Sequence, residues 1–287
     1  MPTNIRKQFE LIIMIFFLPC MLAASETKTS MLEELYFKSG MEKQYADIPA
    51  ALKEGFDQGL KIDTGKNKMS PSVSIAIRNS IDTSFSSELV KADILACFKS
   101  NLSERDIQEI LKWLDSPTGK RCTELEEAGS APGILEKRME FEKNIKNNPI
   151  PENRMKLIRK FNQATSGTEA AVSIAEGMQI ALLTAVNLSM PEEMRMPYQA
   201  MKNEIEQLKP KIRAILEPEV ITGFIYTYRT LTDPELGEYI DFLSSEAGRK
   251  YTTSSIKGLK KALEDGSMKW GRSIAEILNN AEKQTDT

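Results

Sequence analysis

Three cysteines, a cluster of methionines and several adjacent carboxylates are the side chains with chemistry to offer in this 287-residue chain, which contains no histidine. The lack of histidine removes the commonest general base and the commonest metal ligand. Cys20 falls in an apolar N-terminal stretch, which leaves Cys97 and Cys122 as a candidate disulfide if the chain enters an oxidising compartment. The alternative is a pair of buried free thiols. A redox role would need a Cys-x-x-Cys spacing or a group that lowers a thiol pKa, and the sequence has no such spacing. Met190, Met194, Met196 and Met201 could offer thioether sulfur to copper(I). Methionine more commonly fills irregular helix interfaces, and here no cysteine or histidine stands beside the four to complete a metal site. No cofactor is expected on these grounds.

The paired acids Glu33–Glu34, Glu126–Glu127 and Glu192–Glu193 would suit glycoside hydrolysis if two carboxylates faced one another. Neighbouring residues on a helix point apart, so the pairs read as solvated faces. Lys257, Lys260 and Lys261 are interleaved with acids and make no phosphate-binding stripe. No glycine-rich phosphate loop, nucleophile elbow or zinc spacing is present. With 38 basic and 41 acidic side chains the net charge is -3, which argues against a nucleic-acid partner. Asn101 and Asn187 lie in Asn-x-Ser sequons, relevant only in a cell that glycosylates exported chains.

The elements that would position these groups begin after residue 25. Arg6 and Lys7 precede an apolar run from Leu11 to Leu18 that ends in the small residues Ala23, Ala24 and Ser25. This is the order of a signal peptide, with cleavage expected after Ala24 or Ser25. Pro19 before Cys20 disfavours lipid attachment there, since that chemistry takes a small residue at the preceding position. Residues 1–25 are thus read as a signal peptide, and the mature chain, of net charge -4, as periplasmic or secreted with no further membrane span.

The mature chain repeats itself. Leu102 to Thr123 aligns without gaps on Leu231 to Thr252 at an offset of 129 residues, with Leu102, Glu109, Leu114, Ser116, Gly119 and Thr123 recurring as identities. Ser103 with Asp106 and Thr232 with Glu235 read as capping boxes that start a helix. Ser116 followed by Pro117, and Ser245 followed by Glu246, read as the N-cap and first residue of the next helix. Gly119 and Gly248 stand one turn into it, where a missing side chain lets a corner approach closely. At the same offset Cys97 and Cys122 become Tyr226 and Tyr251, a joint replacement that hints at neighbouring side chains.

Apolar residues recur at helical spacing elsewhere, as in Leu32, Leu35 and Tyr36 and in Ile158 and Phe161, and no alternating strand pattern is found. The reading is all-α: two homologous helical repeats, residues 31–148 and 154–279, forming a bundle-like array. The segment 149–153 links them, 280–287 is a frayed tail, and Asp63 to Pro71 is a loop.

The corner segments WLDSPTGKR and FLSSEAGRK resemble the exported bacterial family called domain of unknown function 2059, the first copy more closely because the second has Glu246 where the first has Pro117. The resemblance implies a helical domain in an exported protein and brings no activity or catalytic residue. The expected function is binding or scaffolding of an unknown protein or apolar ligand without catalysis. The alternatives are a carrier, with Phe161, Met178 and Phe224 lining a cavity, and a carboxylate-based hydrolase. The groove between the halves is the expected binding place.

Overall fold

The computed structural model describes residues 26–62, 70–131, 133–190 and 192–285, and the signal-peptide reading of 1–25 lies outside them, as does most of the expected loop at 63–71. Among the described residues the chain is all-α. The first stretch holds α1 (26–38), α2 (Met41–Ala46), α3 (Ile48–Ile62), α4 (Pro71–Ser84), α5 (Ser87–Asn101), α6 (Glu104–Leu114), α7 (Pro117–Gly129) and α8 (Ile134–Asn147). The second holds α9 (Glu152–Thr165), α10 (Gly167–Ser189), α11 (Tyr198–Thr227), α12 (Asp233–Ser244) and α13 (Glu246–Thr285). The connection between the two runs over 148–151, and α13 continues to Thr285, past the point where fraying was expected.

The two corners are built by the same hydrogen bonds. Ser103 Oγ accepts from the Asp106 amide at 3.2 Å while Asp106 Oδ2 accepts from the Ser103 amide at 2.9 Å. Thr232 and Glu235 make the same reciprocal pair at 3.4 and 2.7 Å. Each satisfies amides that a helix start otherwise leaves bare. One helix later, Ser116 Oγ accepts from the Gly119 amide and Ser245 Oγ from the Gly248 amide, both at 3.0 Å. A Cβ at Gly119 would collide with the Trp113 carbonyl, and one at Gly248 with the Phe242 carbonyl. Only glycine lets the chain turn this tightly.

After the corner, each stretch sends its next helix across to the other. α7 packs on α11 and α12 of the second stretch, and α13 packs on α4, α5 and α6 of the first. Cys122 and Leu125 of α7 consequently join the core of Ile158, Phe161, Tyr228, Leu236 and Leu243. Ala247, Tyr251, Leu259 and Ala262 of α13 join the core of Leu35, Ile94, Phe98, Ile107 and Ile110. A third cluster places Trp270 of α13 over Ile77 and Ile81 of α4 and Phe85 at its end, next to Ala181 of α10.

The exchange has matching charges. Lys250 Nζ meets Asp106 Oδ1 at 3.0 Å, and Arg121 Nη1 meets Glu235 Oε1 at 2.8 Å. Each cation lies 129 residues from the other, as does each acid. Between the pairs, the Trp113 and Phe242 rings stack with centroids 4.8 Å apart and planes 9° from parallel.

Helix α10 needs separate mention. By length and mean hydropathy, Gly167–Leu188 meets the requirement for a membrane crossing, although no second such run was expected. In the fold it packs between α13 and α11. Its two acids are paired across to α11, Glu169 with Arg213 and Glu176 with Lys209.

Candidate functional site

The space between the two corners, where a binding groove was expected, is filled by the Trp113–Phe242 stack and the two ion pairs. Beside them lies a carboxylate held by two tyrosines. Glu126 of α7 lies on the same helix face as Gly119 and Cys122, and its Oε1 accepts from Tyr228 Oη and Tyr239 Oη, each at 2.7 Å. Burial of the carboxyl end raises its pKa, partly offset by hydrogen bonds from Tyr228, Tyr239 and Gln44. Burial and the nearby Glu126 in turn push both tyrosine hydroxyls well above their ordinary value. No second carboxylate is among the groups that hold Glu126.

The neighbouring Glu127 points outward and pairs with Lys43 at 2.7 Å, so the adjacent acids diverge as helix geometry requires. Glu126, expected on a solvated face, instead turns inward onto the two tyrosines. The signal was available, because a glutamate seven residues beyond Gly119 and four beyond Cys122 shares the stripe that faces the core.

The crossing of α7 also separates the two cysteines from a shared core. Cys97 is half-buried on α5, and Cys122 is buried against the second stretch; both are free thiols in the structure. The joint replacement by Tyr226 and Tyr251 therefore has another reading. Tyr251 stacks on Phe98 with centroids 5.7 Å apart, whereas Tyr226 meets Phe141 edge-on at 5.3 Å, so these two also serve different neighbourhoods. Burial, followed by the charge of Glu126, raises the Cys122 thiol to about 12, which suppresses the nucleophilic thiolate.

The methionines do not act as one group. Met201 is buried, while Met190, Met194 and Met196 are exposed at the turn between α10 and α11. Asn187 pins that turn through both its amide atoms, donating to the Met196 carbonyl at 2.8 Å and accepting from the Met196 amide at 2.6 Å. Among the described residues no group of three or more Cys, Asp or Glu side chains is arranged to hold a metal ion.

Open clefts gather around the α9–α10 corner. Ser166 turns the chain there with a left-handed φ of 51°, and Asn162 holds the start of α10 by accepting from the Thr168 amide at 3.0 Å. One cleft of about 420 Å³ is polar, with Arg159, Asn162, Thr168 and the paired Glu169 and Arg213 in its wall. A second, of about 470 Å³, lies between α10 and α11 beside Arg138 of α8 and is mainly apolar. Of the residues suggested for a carrier cavity, Phe224 lines this second cleft, Phe161 is buried behind it and edge-on to the Phe224 ring, and Met178 packs in the Trp270 cluster. Arg138 Nε is buried and has no hydrogen-bond partner, an omission that costs about 1–3 kcal/mol for an ordinary donor.

Compared with protein-family models, curated proteins and solved structures, the chain matches none of them.

Proposed function

We propose that this chain is a non-catalytic binding protein that works outside the cytoplasm. One observation carries the reading. The strongly desolvated acid, Glu126, is engaged by two tyrosine hydroxyls inside a packed interface, while clefts of several hundred cubic ångströms open at the surface beside the α9–α10 corner. General acid catalysis would need that carboxyl within reach of a substrate, and glycoside hydrolysis would need a second acid facing it. The clefts have the size of small-ligand sites.

The carrier reading stands second and is favoured by the apolar lining of the Arg138 cleft. Export rests on the signal-peptide order of residues 1–25, and descent of the two stretches from one duplicated unit, like the resemblance to domain of unknown function 2059, rests on the corner segments. The matched caps and reciprocal ion pairs are what a duplicated unit would leave. Native mass spectrometry of the protein isolated from the cell that makes it is the test. A retained small molecule or partner on a chain starting at Ser25 or Glu26 is expected. A bare chain with its N-terminus intact would overturn both parts.

A further inference from the structure

The cleft between α10 and α11 has a mainly apolar wall. Gly167, Ala170 and Ala171 of α10 face Gly223 of α11, with Phe224 beside them. Arg138 lies over Gly223, so close that a Cβ there would meet its Nη2 at 3.2 Å. The guanidinium makes one hydrogen bond, from Nη2 to the Glu219 carbonyl at 3.3 Å, and Nε is left without an acceptor. An arginine stays charged under all ordinary conditions, and its fork of donors matches a carboxylate. Ala170, Ala171, Ile174, Val220 and Phe224 give the cleft an apolar wall, beside the Thr227 hydroxyl, on which an alkyl chain can leave water.

Glu219 also lines the cleft, so every negative charge on a ligand faces that acid as well as Arg138, which favours a head group with one charge over one with two. From this juxtaposition we infer that the cleft binds an aliphatic monocarboxylate, its chain along Ala170, Ala171, Ile174 and Val220 and its head on Arg138. This rests on the binding reading above and names the ligand class.

The test is calorimetric titration of the full chain with sodium decanoate, 1-decanol and monodecyl phosphate, repeated on Arg138→Gln and Gly223→Leu. Decanoate should bind saturably at one site and more tightly than either other probe. Arg138→Gln should weaken decanoate at least about tenfold, the effect of losing a charged hydrogen bond, and leave decanol unchanged. Gly223→Leu should block every probe. Absence of saturable decanoate binding, equal affinity for decanol, tighter binding of the phosphate, or an Arg138→Gln variant that keeps its decanoate affinity would each overturn the inference. The comparison of head groups on the unaltered chain decides the matter even if a variant fails to fold. A protein partner retained in native mass spectrometry, together with no decanoate binding, would end this inference and leave the binding reading standing.

Discussion

Trp113 lies flat on Phe242, and the two rings occupy the same position in their respective corner segments, 129 residues apart. Stacked aromatic pairs contribute about 0.5–1.5 kcal/mol beyond the area they bury. Trp113→Ala should lower unfolding free energy by about 2 kcal/mol, less than for a fully buried ring because Trp113 keeps some exposure. The double variant with Phe242→Ala should show a coupling of about 1 kcal/mol in urea denaturation. Additive losses would mean that the stack holds nothing together.

Asp106 does two jobs, capping α6 and pairing with Lys250 of α13. Burial opposes its charge, but the hydrogen bonds from Ser103 and Lys250 outweigh burial and hold its pKa below the ordinary aspartate value. The unfolded chain therefore takes up the proton first as pH falls, so the contribution of Asp106 is present above about pH 4 and is lost as pH drops through the lowered folded value. Asp106→Asn keeps a capping oxygen and loses the charge. Its stability deficit at pH 7, about 1 kcal/mol, should shrink toward zero in acid denaturation curves. A deficit that stays constant with pH would contradict the assignment.

Glu126 has the opposite sign. Its folded pKa is raised by burial, so its contribution is present below about pH 4 and is lost as pH rises through the folded value. Glu126→Gln retains an acceptor for the tyrosine hydroxyls without the buried charge, and should equal or exceed the parent in stability at pH 7, with the advantage vanishing in acid. Glu126→Ala leaves Tyr228 and Tyr239 unpaired and should lose about 2–4 kcal/mol. Urea unfolding at several pH values measures both. A Gln variant weaker than the parent at pH 7 would show that the ionised form is the one the fold needs.

Gly119→Ala and Gly248→Ala should each destabilise the fold by about 1–3 kcal/mol, because the added methyl meets a backbone carbonyl that cannot move aside. Gly237→Ala is the control. It lies within α12 with open space around it, and should stabilise by about 0.5–1 kcal/mol through helix propensity. Thermal melts of the three should therefore shift in two directions.

Thiol titration in denaturant without reductant should find both Cys97 and Cys122 free, and Cys122 should react under native conditions only as fast as the fold opens. A titre of zero would put a disulfide back between them.

The sequence made the helices and their punctuation readable because capping and apolar spacing act within a few residues. Ser103, Asp106, Ser116, Gly119 and their partners at Thr232, Glu235, Ser245 and Gly248 all form the hydrogen bonds or close approaches inferred for them. Long-range placement was not readable in the same way. Nothing local says that α7 leaves its own stretch, and so the neighbours of Cys122 and Glu126 could not be read from spacing. The Arg138 cleft was hidden for a related reason: it takes glycines and alanines from two helices and a cation from a third, none of which forms a pattern along the chain.

Helix α13 runs for 40 residues, about 60 Å, and covers parts of both stretches. It also follows in the chain every helix that it covers. The faces of α4, α5 and α6 thus stay uncovered until α13 has been made, so that a chain cut short within this helix would carry sticky, unfinished surfaces and no means of closing them.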